Sequence, residues 1–467
     1  MKKIKYSIIL LVIISSLVIT ACTNGDLETP NPESTITDAE VDPDFESTEP
    51  IEEQARLLIK AEPDLIEPVT VLYKAFFNGE SPSFVQNDPD LLVAPPGEIV
   101  DLHHELPAVF LNDGAMYPQN DNEEIEAFIQ FAVSVDGQQA LINAGLLPES
   151  IDLTDQAGNI VSINLPVRRV LSAYGPVTAM IYSVDAENRF VSASYLGARD
   201  PLGSSVMEKV DSRFPDIQGN ESFSQSEFNI EEAAMLEPDL IIGNARSGWL
   251  ETVAALDVPV FLYDAETSEA LKEAVLLTGQ IFGPHSTYQA DAWVRYYESI
   301  VGSIEEKMAE IPVEDRVEVL FTGTEPLRVA SGDMFQSYII ETAGGISASS
   351  ELEGYWNNIN LEQVVIWDPD VIIVPPYGGA SVEAITESDE WQILDAVKDG
   401  KVYRMPKLVA PWDTPAPDAV LGIIWMAQQL YPEQIDLDCS TEAEFFYNTF
   451  FDYEITDEEI AKICSIN

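Results

Sequence analysis

Basic residues are scarce in this chain: 23 Lys and Arg stand against 81 Asp and Glu, a formal charge of −58 over 467 residues. Nucleic acid would repel such a surface, because its binding needs clustered Lys and Arg. An anionic membrane face would repel it too. The acidity suits solubility in a salty medium, where screening is strong. Histidine is nearly missing, with only the adjacent His103 and His104 and a lone His285. A naked zinc or manganese site normally draws on several His ligands, so capture of a bare transition ion is disfavoured and no metal-ligand set is expected. No Gly-x-Ser-x-Gly, His-Glu-x-x-His, P-loop or Cys-x-x-Cys occurs, so the common hydrolase, metalloprotease, nucleotide and redox motifs are missing. Abundant carboxylates leave an enzyme as a competing class, but in so acidic a chain a random pair means little. No cofactor is expected.

Cysteine is equally sparse, at three residues, and the first lies in an informative place. Lys2, Lys3 and Lys5 precede an apolar run over residues 6–21. That order marks a secretory signal peptide, and the run is short for a transmembrane helix, which needs about 20 apolar residues. The run ends in Ile19-Thr20-Ala21-Cys22, which resembles the lipobox of bacterial lipoproteins. The resemblance implies removal of residues 1–21, acylation of Cys22 and anchoring to the outer face of the cell membrane. Residues 23–53 then carry eleven acidic residues, no basic ones and four prolines. Such a segment has little apolar surface to offset ordering entropy, so residues 22–53 read as a disordered tether. With Cys22 lipidated, Cys439 and Cys464 remain, an even number in an oxidising compartment; a disulfide between them is expected to close a hairpin of the helical stretches 442–451 and 457–463, the alternative being two free thiols.

The texture changes at residue 54. Residues 65–77 read as an amphipathic helix, 90–94 as a buried strand, and 124–146 as a helix pair broken at Asp136-Gly137. The stretch over residues 127–148 resembles the closing helices of molybdate-type solute-binding proteins. Those need two lobes and over two hundred residues, so residues 54–150 read as a reduced domain to which no ligand site is carried. Beyond it, strand-like runs at 169–173, 189–193, 240–243, 260–263, 317–321, 371–374 and 402–405 alternate with helical patterns. Such alternation argues for parallel sheets with helices on both faces.

An internal repeat organises this region. Asn229-Ile230-Glu231 precedes Pro238-Asp239-Leu240-Ile241-Ile242, and Asn360-Leu361-Glu362 precedes Pro369-Asp370-Val371-Ile372-Ile373, every position displaced by the same offset. In each copy Asn caps a helix, Glu sits in its first turn, Pro ends it and an apolar strand follows. Two similar lobes follow from two copies. Between them, apolar residues from Ala290 to Ile311 keep helical spacing behind a Ser286/Gln289 capping box. A helix over residues 286–311 would span roughly 39 Å, a rigid strut between lobes.

These residues carry a family resemblance. Asp155-Gln156-Ala157-Gly158-Asn159, Arg168-Arg169-Val170, both Asn-x-Glu…Pro-Asp units, Ala343-Gly344-Gly345, residues 396–403 (AVKDGKVY) and Pro411-Trp412-Asp413 resemble, in order and spacing, the iron-siderophore and cobalamin class of periplasmic-type binding proteins. The resemblance implies an α/β fold of the class III solute-binding type: two three-layer lobes with parallel sheets, joined by one long helix. The expected division is an N-lobe over 151–283, the connecting helix over 284–312, a C-lobe over 313–435 and a helical extension over 436–467. It also implies a ligand cleft between the lobes, a monomer, and delivery to an ABC importer with a permease dimer and ATPase. The expected ligand is a metal chelate, a ferric siderophore first and a corrinoid (cobalamin) or heme next; the competing classes are a structural or adhesive surface lipoprotein and a carboxylate-dependent enzyme. Loops after the strands place Tyr174, Tyr195, Arg199, Arg246, Tyr355, Trp356 and Trp412 as cleft candidates, since aromatics offer area at low entropy cost and Arg a forked donor. Glutamates at the repeat positions, Glu231 and Glu362, are implied to meet permease arginines, one per lobe.

Overall fold

The computed structural model describes residues 56–97, 106–195, 206–219 and 222–465. The signal peptide, Cys22, the tether, His103, His104 and Arg199 lie outside the described residues.

Residues 56–149 form the first domain. Its strands are β1 (Leu58–Ala61), β2 (Ser83–Phe84), β3 (Leu91–Ala94), β4 (Ala108–Leu111) and β5 (Gly114–Pro118), in the order β2-β1-β3-β5-β4. Strand β1 runs parallel to β2 and β3, while β5 is antiparallel to β3 and β4. Helices α1 (Ile66–Phe76), α2 (Glu123–Val133) and α3 (Val135–Asn143) cover it. Tyr73, Phe76, Phe77 and Phe128 interlock there, with ring centroids 4.3–6.0 Å apart, the tilted and edge-on geometry aromatic rings prefer. The helix pair breaks at Ser134 rather than at Asp136-Gly137: Ser134 ends α2 and caps α3 by accepting the Gly137 N–H, a local satisfaction that Gly137 inside the next helix cannot offer.

The hairpin β6 (Ser150–Thr154) and β7 (Ile160–Asn164) leads into the N-lobe. That lobe holds β8 (Val170–Ser172), α4 (Gly175–Ser183), β9 (Phe190–Ala193), α5 (Met207–Val210), α6 (Phe214–Ile217), α7 (Ile230–Leu236), β10 (Leu240–Asn244), α8 (Leu250–Val253), β11 (Val260–Tyr263) and α9 (Ser268–Phe282). The strut α10 spans Pro284–Met308, about 37 Å at 1.5 Å per residue. The C-lobe follows with β12 (Glu318–Phe321), β13 (Arg328–Val329), α11 (Phe335–Thr342), β14 (Ile346–Ser347), β15 (Asn357–Asn358), α12 (Leu361–Trp367), β16 (Val371–Val374), α13 (Val382–Thr386), α14 (Asp395–Lys398) and β17 (Val402–Arg404). Helices α15 (Ala419–Leu430), α16 (Cys439–Phe450) and α17 (Asp457–Ile463) close the chain.

The lobe sheets share one topology. The orders are β11-β10-β8-β9 and β14-β12-β16-β17, all parallel. Numbered within its lobe, each sheet reads 2-1-3-4. Successive strand residues alternate between faces: Leu240 and Ile242 join the core shared with the strut, while Ile241 joins a separate outer cluster. Ile373 and Ile372 divide in the same way. The shared core runs through both lobes, the strut and α15 to α17.

The repeat keeps its chemistry. Asn229 and Asn360 cap α7 and α12 by accepting the N–H of Glu232 and Gln363. Each helix ends before its proline, on Glu237 (φ 43°) and Asp368 (φ 48°) in the left-handed region. The carboxylates of Asp239 and Asp370 accept backbone N–H groups at the start of the neighbouring strand, from Arg168, Arg169 and Glu318. One expectation fails at the strut. The Ser286/Gln289 capping box is not formed, because Pro284 occupies the first turn behind Gly283 (φ 108°) and starts the helix earlier. Proline's fixed φ suits that position and needs no N–H acceptor. His285 therefore lies inside the helix. It accepts the Val109 N–H at Nδ1 (3.4 Å) and faces Asp185 at Nε2 (3.1 Å), tying the first domain, the strut and the N-lobe together.

Candidate functional site

Parallel strands deliver their C-terminal ends to one edge, and loops leaving that edge form the crevice of open α/β sheets. Here β10 ends at Asn244, whose buried Oδ1 accepts the N–H of Arg246 and so turns that loop. The Arg246 guanidinium forms ion pairs with Asp264 and Glu266, both just beyond β11. Its face lies 4.3 Å from the ring of Tyr355, which comes from the C-lobe. Burial alone would lower the Arg246 pKa, but Glu266 and Asp264 outweigh it and hold it above the ordinary value.

The Asp155–Asn159 motif positions this loop. Asp155 accepts the N–H groups of Ala157 and Asn159, closing a turn that contains Gly158 at φ 85°. Gln156 then projects onto the lobe, accepting the Asp264 N–H (2.9 Å) and donating to the Ala270 carbonyl (2.7 Å).

One further contact spans the two lobes, and others follow from it within the C-lobe. The second oxygen of Glu266 accepts the N–H of Phe335 (3.2 Å), the first residue of α11. Burial raises the Glu266 pKa despite Arg246. Next along α11, Gln336 donates to the backbone and side chain of Asp413 (2.9 and 3.2 Å), and Tyr377 donates to the same carboxylate (2.6 Å). Asp413 is completely buried, and that burial pushes its pKa up to about 6. Tyr174, at the start of α4, has its phenol pKa raised by burial and then by Glu266.

The sequence candidates divide accordingly. Tyr355 stacks on Arg246, and Tyr174 lies close enough for Glu266 and Arg246 to act on its hydroxyl, while Trp356 packs over Gly323 and carries Arg328 at 5.9 Å. Two expectations need correction. Trp412 is fully buried and donates its Nε1–H to Tyr447 (3.1 Å), so it is core and presents no face to a ligand. Tyr195 is 3 % exposed, and its hydroxyl donates to the Val409 carbonyl, so it fastens the N-lobe to the C-lobe loop before Pro411. Asn244, Asp264, Glu266, Gln336, Tyr377 and Asp413 were not anticipated. One signal was available: Tyr377 occupies the position in the second copy of the repeat that Arg246 occupies in the first.

Residues 202–408 match the family of periplasmic binding proteins. The chain resembles the iron-siderophore and cobalamin type of that family. Over 248 residues it is 25 % identical to the molybdate-binding protein MolA of Haemophilus influenzae, covering 48 % of this chain and 70 % of MolA. It is 28 % identical over 150 residues to the vitamin B12-binding protein of Yersinia pestis, covering 31 % of this chain and 52 % of that protein. A periplasmic solute-binding protein from Veillonella parvula superposes with a TM-score of 0.57 at 25 % identity, over 67 % of this chain and 96 % of that one. This likeness, over 67 % of this chain and nearly all of that one, is a likeness of the two-lobed binding-protein fold. Cys439 and Cys464 are joined by a disulfide. Among the described residues no helix is long and apolar enough to cross a membrane.

Proposed function

We propose that this chain is the substrate-binding subunit of an ABC importer, anchored outside the cell membrane by a lipid on Cys22, and that it carries a metal chelate in the cleft between its lobes. The observation that carries the reading is the constellation shared by the two lobes: Arg246, Asp264, Glu266 and Tyr174 from one, Tyr355 and Tyr377 from the other, with Gln336 and Asp413 buried behind them. Aromatic faces with a few fixed polar groups suit a large ligand with an apolar rim and buried heteroatoms. The relative named for vitamin B12 supports a solute of this class, whereas the one named for molybdate points to a small oxyanion.

The charge pattern narrows the choice. Arg246 is already paired with two carboxylates, and Asp413 adds a third acid. A dianion such as molybdate, or a strongly anionic catecholate complex, would meet carboxylates around a spent guanidinium. A chelate of low or positive net charge, such as a corrinoid or a ferric hydroxamate, meets less opposition. Glu231 and Glu362 are proposed to orient the loaded protein on its permease.

Titration of the intrinsic tryptophan fluorescence decides among ligands, with Trp356 as the nearest reporter. Cobalamin or a ferric hydroxamate is expected to shift the signal saturably, while molybdate and ferric catecholates bind at least tenfold more weakly. A folded protein that responds to no chelate would sink the proposal and return weight to an adhesive or enzymatic role.

A further inference from the structure

Residues 229–240 and 360–371 match in their exposure position by position, from the exposed Asn caps to the buried Leu240 and Val371. Within that match, two side chains break the usual rule for apolar groups. Met235 is 78 % exposed, and Ile366, its counterpart in the second copy, is 74 % exposed. Val365 adds a partly exposed neighbour at 38 %. Single exposed hydrophobics on a surface need no explanation. Two of the most exposed large hydrophobics of the molecule at repeat-equivalent positions do, because independent placement on two lobes has no structural reason. Both lie on α7 and α12, one helical turn after Glu231 and Glu362, and residues four apart share a helix face. Glu231 and Glu362 are exposed and have no ion-pair partner among the described residues.

We infer that Met235 and Ile366 are paired apolar anchors for one homodimeric partner whose two-fold axis passes between the lobes. The lobes share one topology, so the same patch of acid plus apolar side chain is presented twice. A surface presented twice is complementary to a partner that repeats its own surface by two-fold symmetry. The acids call for basic groups at the rim, in which this strongly acidic chain is itself poor, and the apolar side chains call for a shallow pocket beside them. On the proposed function this partner is the permease pair, and the inference rests on that reading. The division of labour is specific: Glu231 and Glu362 steer the approach, whereas Met235 and Ile366 hold the complex once formed.

Binding kinetics on nanodiscs holding the cognate importer, two permease and two ATPase subunits, test it. Met235→Ser with Ile366→Ser is expected to speed dissociation at least tenfold, leaving the association rate and its salt dependence unchanged. Glu231→Lys with Glu362→Lys is expected to do the reverse, cutting association and its salt dependence. Both pairs should keep the wild-type melting temperature and cobalamin response, since the residues are exposed and none is among the cleft groups. Docking of the serine pair at the wild-type dissociation rate would overturn the anchors while leaving the importer role intact. Wild-type protein that binds no importer would overturn both. Self-association of the wild type, abolished in the serine pair on sedimentation, would assign the patch to a second copy of this chain and overturn the permease assignment.

Discussion

The buried acids behind the cleft are where single residues matter most. Asp413 and Asp418 are fully buried, each accepts a tyrosine hydroxyl, from Tyr377 and Tyr447 respectively, and burial raises both to about 6 from 3.8. A carboxyl whose folded pKa is raised binds its proton more tightly when folded, so its stabilisation is complete below the ordinary carboxylate range and is lost as pH rises through about 6. Each is worth on the order of 2–3 kcal/mol between those limits. Urea midpoints are therefore expected to fall from pH 5 to pH 7.5, and Asp413→Asn with Asp418→Asn should flatten that slope. A slope unchanged by the pair would place the effect elsewhere. Glu459 works in the opposite direction: burial would raise it, but Lys209, Thr456 and Tyr453 outweigh that and bring it down to about 2. Its contribution fails only as pH drops below about 4, so the two windows separate. Trp412 shows why residue type alone misleads. An aromatic after a strand reads equally well as ligand platform or core, and only its burial against Tyr447 decides.

Elements were legible where the pattern was local and long. The strands over 260–263 and 371–374 have the boundaries read from sequence, and α1 and α10 fall within three residues of where the periodicity places them. Helix starts were less legible, because similar side-chain patterns compete. Ser286-x-x-Gln289 looked like a capping box and is not one, since Gly283-Pro284 begins the helix first. Thr456-x-x-Glu459 passed unnoticed and forms a complete box, with each side chain bonded to the other's backbone N–H. The C-terminal pair α16 and α17 makes its own contribution. Tyr447 reaches Asp418 in the core, Glu442 accepts from Tyr296 on the strut, and Glu459 pairs with Lys209 of the N-lobe. Cys439 and Cys464 close this unit across a separation of 25 residues, which stabilises by roughly 3 kcal/mol on the chain-entropy estimate. Cys439→Ser with Cys464→Ser is expected to lower unfolding free energy by that order, and to raise amide exchange first in α16 and α17. Equal midpoints for reduced and oxidised protein would refute that contribution.

At the scale of the molecule, charge and symmetry dominate. A net charge of −58 makes the folded state repel itself, and salt screens that repulsion over about 10 Å at 0.1 M. The melting temperature is therefore expected to climb several degrees between 0.02 M and 1 M NaCl, with most of the rise below 0.3 M. A fall with salt would mean that specific ion pairs outweigh general repulsion. The sequence by itself determined the two-lobe plan. Its internal repeat specifies a capped helix, a proline and a buried strand twice, and these are local instructions that survive in any packing. It also specified the strut, because a single apolar face sustained from Ala290 to Ile311 has few other uses. Only the tertiary structure decided the site. Arg246 and Tyr355 lie on opposite sides of the strut in the chain and meet only because the strut sets the strand ends of both lobes against each other. Glu266 reaches the Phe335 N–H for the same reason. Contacts so distant in the chain depend on the summed packing of a common core, and no local pattern of residues encodes which partners it brings together.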